Sequence, residues 1–319
     1  MNPFQKKEPL EEKQIENRFR LALLTIVAIG VVFQALIGFS HLTQGFFLSL
    51  GLLAFFFLQI KFPNTYAVKL GIAIGVCLSV GTHYLLAGDV IRALNLETRD
   101  YLLFQSDQFL LGWLFPDGQL ALALDQSTIL NPETFYGKTL IDFFSLVYIS
   151  FFVWGVGLVL YLLAQLYWTH HSFYWKNLRR LLTGWGGVYI INFVFYVCVP
   201  AIGPRYYRMD LYQHSMDGWG ISGVIQHMIR VGQDTPWDCF PSGHTAMSWL
   251  VAFAALQMAP RYGRITLVVA VLMTLSTLIL RYHYFTDLVF SVFLIALGVF
   301  WGGFLRKPQN PERSLSERD

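Results

Sequence analysis

Two short segments of the sequence contain residue types whose spacing suits phosphoryl chemistry. Pro241-Ser242-Gly243-His244 stands directly before an apolar run, and His283-Tyr284-Phe285-Thr286-Asp287 opens another. In a helix, residues four apart share a face, so the side chains of His283 and Asp287 can hydrogen-bond. A carboxylate in that place fixes the tautomer of the imidazole and stabilises the cation that forms during reaction. The pair therefore indicates a catalytic histidine.

The Pro-Ser-Gly-His segment has the features of an anion site at the start of a helix. Ser242 is a good N-cap, Gly243 lets a ligand approach the backbone, and the first N–H groups of a helix face outward. His244 lies in that first turn, where it can protonate a leaving oxygen. We expect Arg205 and Arg281 to bind phosphate oxygens, with an interfacial anchor as the alternative role of Arg205.

Membrane-spanning helices must carry these segments. Of the 319 residues, 55% are hydrophobic and 13% are charged, whereas roughly a quarter of the residues in a soluble domain are charged. Long apolar runs predict an all-α integral membrane protein with about eight transmembrane helices. The predicted spans are 21–39, 46–60, 67–87, 139–168, 181–199, 243–259, 265–281 and 284–305.

The predicted organisation is one membrane domain with short tails. Residues 1–20 and 306–319 form the tails, 21–66 two additional spans, and 67–305 the core. A cleavable signal peptide is the alternative interpretation of the first apolar run. That run is long and lacks a clear small-x-small cleavage site, so we expect it to remain as the first span.

The distribution of basic residues predicts the orientation in the membrane. By this assignment most of the 23 lysines and arginines lie on the side of the two tails. The positive-inside rule then places both termini in the cytoplasm. Both histidine segments fall on the opposite side, which is the periplasm, cell exterior or organelle lumen. The membrane itself is the bacterial inner membrane or its equivalent.

Two predicted outer loops are long enough to contain helices of their own. In residues 88–138, apolar pieces too short to span are separated by aspartates. These aspartates are Asp107, Asp117 and Asp125. The pieces are predicted to be amphipathic helices in the membrane interface, with a re-entrant hairpin as the alternative. The loop 200–242 contains one predicted amphipathic helix, from Trp219 to Val231.

The cysteines give little indication of a disulfide framework or a metal site. Cys77, Cys198 and Cys239 are too few for a disulfide scaffold, and no pair has the spacing of a zinc site. A disulfide between Cys198 and Cys239 stays open. We expect no metal and no cofactor. The expected partners are a lipid phosphate or phospholipid and the membrane, not nucleic acid, and the oligomeric state is left open.

Over roughly residues 100–305 the motifs resemble those of the type 2 phosphatidic acid phosphatase superfamily. Its pattern is Lys-x6-Arg-Pro, then Pro-Ser-Gly-His, then Ser-Arg-x5-His-x3-Asp. The second block is present in full, and the serine, histidine and aspartate of the third block are also present. Thr277 replaces the arginine of the third block, and Gly203-Pro204-Arg205 stands at the first block without an upstream lysine.

These departures resemble the branch of inositol phosphorylceramide synthases and, more distantly, sphingomyelin synthases. The resemblance implies a six-helix core from residue 67 onward. It also implies that His283, oriented by Asp287, attacks phosphorus to form a phosphohistidine. His244 would protonate the leaving group and then activate the acceptor, while Ser242 and the Gly243 backbone hold phosphate oxygens.

The expected function is metal-independent cleavage or transfer of a phosphoryl-type group of a lipid at the outer face. Water as the acceptor makes a lipid phosphatase, and an alcohol makes an inositolphosphotransferase-like enzyme. The alternative is an inactive transporter or scaffold of the same fold. Neither internal repeats nor charged, broken mid-span segments favour transport.

Overall fold

The structure is a computed structural model that describes residues 7–127, 129–232 and 236–305, without the side chains of 7–10 and 116. All regular secondary structure within these ranges is helical. In chain order the described helices are α1 (Lys7–Ile37), α2 (Gln44–Lys61), α3 (Tyr66–Ala93), α4 (Asp100–Leu111), α5 (Leu120–Asp125), α6 (Phe135–Ile149), α7 (Phe151–Thr169), α8 (Ser172–Cys198), α9 (Pro204–Tyr207), α10 (Ile221–Gly232), α11 (Gly243–Met258), α12 (Pro260–Ile279) and α13 (Phe285–Trp301).

Six helical segments of the described ranges are long and apolar enough to cross a membrane. They are α1, α2, α3, α6 together with α7, α8 and α12. The predicted spans 243–259 and 284–305 coincide with α11 and α13, which have 16 and 17 residues. The predicted all-helical membrane fold is therefore confirmed, while the count of eight spans stays a prediction.

Local sequence determines where several helices begin. The side chains of Thr43, Thr134 and Ser242 each accept a hydrogen bond from a backbone N–H in the first turn of the following helix. Pro260 begins α12, where its missing N–H has no intrahelical partner to lose. These caps satisfy donors that a helix otherwise leaves unpaired in an apolar environment.

The central helix of the bundle is α8, most of which is buried. It packs against α1, α3, α7, α11 and α13. The first two helices pack against each other, against α3 and, through α1, against α8. The helices that precede the predicted core thus cover one side of it.

The start of α1 and the end of α13 lie at the same end of the bundle. Arg18 donates to the main-chain oxygen of Phe300 over 2.8 Å, and Arg180 donates to that of Gly302 over 3.0 Å. Asp287 lies at the other end of α13, about 20 Å away at the usual helical rise. The catalytic motifs and the described chain ends are therefore at opposite ends of the bundle.

The helix α4, in the predicted interfacial segment, buries its acidic side chains and exposes its aromatic ones. It buries Asp100 and Asp107 against the protein, whereas Tyr101 is 59% exposed and Phe109 86% exposed. Aromatic groups outside and carboxylates inside suit a helix at a membrane interface. The interfacial position of residues 88–138 stays a prediction, although α3 continues past its predicted end and occupies the start of that segment.

The loop 200–242 contains the second predicted amphipathic helix. That helix is present as α10, close to the predicted bounds Trp219 and Val231. Asp142 of α6 accepts hydrogen bonds from the N–H groups of Trp219 and Ser222. The start of α10 is therefore tied to the middle of α6.

Candidate active site

His283 and Asp287 form a hydrogen-bonded pair at the start of α13. Nδ1 of His283 lies 3.2 Å from Oδ2 of Asp287 and 2.7 Å from the main-chain oxygen of Cys239. Both neighbours accept hydrogen bonds, so the imidazole proton belongs on Nδ1 and the lone pair on Nε2. This is the tautomer that a nucleophilic or basic histidine needs.

Oδ2 of Asp287 also accepts two further hydrogen bonds. The Cys239 thiol donates over 2.9 Å, and the N–H of Tyr284 donates over 2.9 Å. Burial, followed by the charge of Asp287, raises the pKa of Cys239 well above its ordinary value, so the thiol keeps its proton and donates. Cys239 and Cys198 are both free cysteines. Sequence reasoning had assigned no role to Cys239.

The thiol, imidazole and carboxylate of this group could also be considered as metal ligands. Their ligand atoms lie within 4.8 Å of one another, and zinc binds all three types. A structural zinc site takes four ligands, whereas hydrogen bonds account for the contacts of these three. The geometry fits an oriented histidine better than a closed metal site, and independence from metal stays a prediction.

His244 lies in the first turn of α11 and is held by aromatic rings. Tyr148 stacks on it with a centroid distance of 4.4 Å, and Phe151 contacts it at 4.7 Å. The Tyr148 hydroxyl is 3.4 Å from Nδ1 of His244. The ring centroids of His244 and His283 are 6.0 Å apart, a distance that one phosphoryl group can bridge. The structure therefore brings the three predicted catalytic residues together.

Ser242 and Gly243 shape the N-terminus of α11 between these histidines. The Ser242 hydroxyl accepts from the N–H of Thr245 over 3.3 Å and donates to its Oγ1 over 3.1 Å. A Cβ at Gly243 would lie 2.9 Å from Nδ2 of Asn192, so a larger residue would have to displace that amide. Both observations explain the residue types, and phosphate binding by Ser242 and Gly243 stays a prediction.

The two predicted phosphate-binding arginines differ in what holds them. Arg281 is buried, pairs with Asp125 over 2.6 Å and donates to the main-chain oxygen of His214 over 2.9 Å. Arg205 is half-buried and donates to the Tyr282 hydroxyl over 2.9 Å. Phosphate binding by either arginine stays a prediction, and Arg281 already has a carboxylate partner.

Arg205 also lies at one end of a stack of rings. Its guanidinium is 5.1 Å from the centroid of the Tyr282 ring. Tyr282 stacks on Tyr148 with a centroid distance of 4.5 Å, and Tyr148 in turn stacks on His244. A positive charge is therefore connected to His244 through two tyrosine rings.

Two buried aspartates of α4 hold the turn that carries His283. Asp107 accepts from the N–H groups of Phe285 and Thr286, both over 2.8 Å, and so caps α13. Asp100 accepts from the Tyr284 hydroxyl over 3.0 Å. Burial is the largest influence on the pKa of Asp107 and raises it, while hydrogen bonds from Thr286 act in the opposite direction. Isolated aspartates in an apolar segment were the sequence signal for these roles.

An apolar cavity of about 280 Å³ lies next to Phe151 and the first turns of α11. Phe151, which contacts the His244 ring, lines it, as do Met247 and Ser248 one turn further along α11. Cys77 and Gly81 of α3 line another part of the wall. The reacting end of the site therefore adjoins a space that suits an apolar chain.

Comparison with known proteins gives the family. The sequence model of the PAP2 superfamily matches residues 120–301, which is more than half of the chain. The chain belongs to the PAP2 superfamily. The matched range contains His244, His283 and Asp287, whereas Asp100 and Asp107 precede it. Two aspartates outside the PAP2 match thus support the turn of His283 inside it.

A curated relative also belongs to this group by its name. The chain is 27% identical over 315 residues to a PA-phosphatase related-family protein of Dictyostelium discoideum. The alignment covers 93% of this chain and 57% of that protein, so the chain spans little more than half of the relative's length. No solved structure matches the chain. PAP2 membership confirms the predicted superfamily, while the inositol phosphorylceramide synthase branch stays a prediction.

Proposed function

We propose that this PAP2-superfamily protein is a membrane enzyme that cleaves or transfers a phosphoryl-type group of a lipid through a phosphohistidine. One observation carries the proposal. Nδ1 of His283 is bound by Asp287 and by the main-chain oxygen of Cys239, and the ring lies 6.0 Å from that of His244. An oriented nucleophile and a nearby acid are what displacement at phosphorus requires.

The proposed reaction has two balanced steps. Nε2 of His283 attacks phosphorus, the bond from phosphorus to the leaving oxygen breaks, and His244 gives that oxygen a proton. Water or an alcohol then attacks phosphorus and gives its proton to His244, and the phosphorus–nitrogen bond breaks. Asp287 stabilises the imidazolium that the first step would otherwise leave unpaired. Both histidines end in their starting states, and no step requires a metal.

Three features support a lipid as the substrate. The reacting groups lie at one end of a bundle of apolar helices, a cavity of about 280 Å³ is lined by Phe151, which contacts His244, and aromatic residues of α4 are exposed. An acyl chain in the cavity would place a head-group phosphate at the start of α11. This proposal includes the outer face as the side of reaction, as the distribution of basic residues predicts.

The acceptor is proposed to be an alcohol, such as inositol or the hydroxyl of ceramide, with water as the competing acceptor. The support is the motif pattern, which departs from the first and third blocks of the superfamily and in these departures resembles the transferase-like branch. The relative from Dictyostelium discoideum is named as PA-phosphatase related, and that name favours hydrolysis. Product analysis therefore has to separate released phosphate from a new phosphodiester.

The test is turnover by the full chain purified in detergent with EDTA present. Substrates would be phosphatidic acid, other lipid phosphates, and phosphatidylinositol with ceramide. We expect release or transfer of the phosphoryl group, with a ³²P-labelled, acid-labile protein adduct that His283→Ala removes. Equal turnover by His283→Ala would contradict the mechanism. A folded protein that turns over none of these lipids would favour the transporter or scaffold alternative.

The cavity gives a second test of the lipid chain. A Cβ at Gly81 of α3 meets no described atom within 4 Å, so Gly81→Phe can extend into the cavity that Gly81 lines. We expect it to raise KM for long-chain lipid phosphates and to leave p-nitrophenyl phosphate unaffected. Gly51→Phe on α2 is the matched control, because Gly51 has equal space but does not line the cavity. Identical effects of both variants would contradict the assignment.

The side of the membrane on which the site lies can be measured independently of activity. Alkaline phosphatase and fluorescent-protein fusions after residues 220 and 305 would report the location of the loop before α11 and of the end of α13. We expect opposite sides, with the loop outside. A cytoplasmic location of the loop would contradict the proposed outer site without affecting the chemistry.

A further inference from the structure

The proposed phosphate site has fewer cations than the PAP2 motif pattern provides. Thr277 stands in place of the arginine of the third block, and its hydroxyl donates to a main-chain oxygen of its own helix. Arg281 is paired with Asp125. A phosphoryl group carries charge on several oxygens, and these need donors from the protein. Other donors near α11 are therefore of interest.

Asn192 of α8 is a buried amide that lies near the Tyr196 hydroxyl but makes no hydrogen bond of good geometry with the described residues. Its side chain is 0% exposed, and neither Oδ1 nor Nδ2 has a hydrogen-bond partner among the described residues. Leaving such a group unpaired is unfavourable, so native proteins rarely keep one without a reason. Because both ends of the amide are unpaired, the assignment of oxygen and nitrogen does not alter this conclusion.

The unpaired amide is directed at the helix N-terminus between the catalytic histidines. Nδ2 of Asn192 is 2.9 Å from the position that a Cβ of Gly243 would occupy. The Tyr196 hydroxyl is 3.4 Å from that same Cβ position. Gly243 is the first residue of α11, and the Cα–Cβ direction in a helix tilts towards its N-terminus. The amide therefore borders the first turn, whose free N–H groups attract anions.

We propose that Asn192 is a phosphoryl-binding residue whose amide N–H donates to an oxygen of the group held at the N-terminus of α11. The inference rests on the proposed function and adds a neutral donor where the motif pattern has a cation. The missing side chain at Gly243 lets the amide and the phosphoryl oxygen approach each other. The substrate supplies the hydrogen bond that the free protein lacks.

A second asparagine on the same helix provides a matched control. Asn177 is also buried, at 2% exposed, and its Nδ2 is likewise unpaired, but its Oδ1 accepts a hydrogen bond from Arg180 over 3.1 Å. It lies 15 positions earlier in α8, about 22 Å away at the usual helical rise. Residue type, helix and burial are shared, while the position relative to α11 differs.

The experiment compares Asn192→Leu with Asn177→Leu in the full chain. Orthovanadate serves as the phosphoryl probe, and its binding is measured by calorimetry, so the readout does not depend on turnover. We expect Asn192→Leu to weaken binding by about 10- to 100-fold, as for loss of a hydrogen bond to a charged group. We expect its Tm without ligand to be unchanged or raised, because an unpaired polar group has been removed. Asn177→Leu should lower Tm and leave vanadate binding unchanged.

Each outcome decides the inference. Vanadate binding by Asn192→Leu within twofold of the unaltered protein would overturn the role of Asn192 and leave the proposed function standing. No vanadate binding by the unaltered protein would overturn both. If Asn192→Leu fails to fold, Asn192→Ala takes its place with the same expectations.

Discussion

The two histidines of the site are held by different kinds of contact. His283 is fixed by hydrogen bonds, with Asp287 and the main-chain oxygen of Cys239 around one nitrogen. His244 is held mainly by ring contacts, with Tyr148 stacked on it and Phe151 tilted against it. Hydrogen bonds fix both the plane and the tautomer of an imidazole, whereas stacking fixes the plane and leaves protonation free.

This difference corresponds to the proposed roles. A nucleophile has to present one lone pair in one direction throughout the reaction, so a fixed tautomer is an advantage. An acid that later acts as a base must lose and regain a proton, so a partner that holds one protonation state would slow it. The contacts around each ring therefore make separate predictions for the variants below.

Removing each ring gives the largest expected effect. His283→Ala should lower kcat by on the order of 10⁴-fold or more, since no attacking group remains. His244→Ala should lower it by about 10²–10⁴-fold for lipid phosphates, and much less for p-nitrophenyl phosphate, whose leaving oxygen needs no proton. Steady-state kinetics with both substrates check this. If His244→Ala lowered kcat on p-nitrophenyl phosphate as much as on lipid phosphates, as His283→Ala should, the assignment of nucleophile and acid would be wrong.

Replacing the carboxylate that orients His283 comes next. In Asp287→Asn the side chain no longer carries a charge that stabilises the imidazolium, and its N–H can compete with the main-chain oxygen of Cys239 for Nδ1, so kcat should fall by up to about 10⁴-fold. Asp125→Asn is the control, because Asp125 is equally buried but pairs with Arg281. Asp125→Asn should lower Tm, but it should lower kcat much less than Asp287→Asn does. A larger loss of kcat in the control would show that the role given to Asp287 is wrong.

Weakening the cap that Asp107 forms at the start of α13 should have a moderate effect on stability and on kcat. Asp107→Asn leaves N–H donors of α13 facing an amide rather than a carboxylate, and should lower the free energy of unfolding by about 1–3 kcal/mol. We expect kcat to fall less than in Asp287→Asn, because Asp107 touches no reacting atom. Thermal denaturation and kcat would be measured together. An unchanged Tm would indicate that the cap contributes nothing.

Changing Tyr148, whose ring stacks on His244, should lower kcat less than these substitutions. Tyr148→Phe keeps the stacked ring and should alter kcat by less than about threefold. Tyr148→Leu removes a ring contact of the kind worth about 0.5–1.5 kcal/mol, so kcat should fall by up to about tenfold. The step affected should be protonation of the leaving group, and p-nitrophenyl phosphate should again be spared. If Tyr148→Phe lowers kcat as much as Tyr148→Leu does, the hydroxyl rather than the ring holds His244.

The smallest expected effect concerns the thiol beside Asp287. Cys239→Ser keeps a donor and should change kcat by less than about threefold. Because burial raises the pKa of Cys239 and the thiolate is the reactive form, alkylation should be slow at pH 8 and should quicken as the pH rises. The exposed Cys198 is the internal control and should react at once. Rapid alkylation of Cys239 at pH 8 would contradict its burial.

The sequence could indicate His244, His283 and Asp287 as a proposed catalytic trio because the signals are local. A histidine and an aspartate four apart share a helix face wherever that helix lies, and Pro-Ser-Gly-His begins a helix by its own capping. The roles of Cys239, Asn192 and Asp107 were missed because each depends on a contact between distant parts of the chain. Asp107 caps a helix that begins 178 positions later.

What the sequence by itself determined is the class of the protein and the residue types and spacing of its two histidine motifs. Apolar runs have to form helices in a membrane because no water is there to bond the backbone, and this holds whatever the packing. The tertiary structure decided which polar groups surround His283, that Arg281 pairs with Asp125, and that Asn192 borders Gly243 without a partner. Those facts depend on which helix faces meet, and apolar faces of similar composition do not specify their partners in sequence.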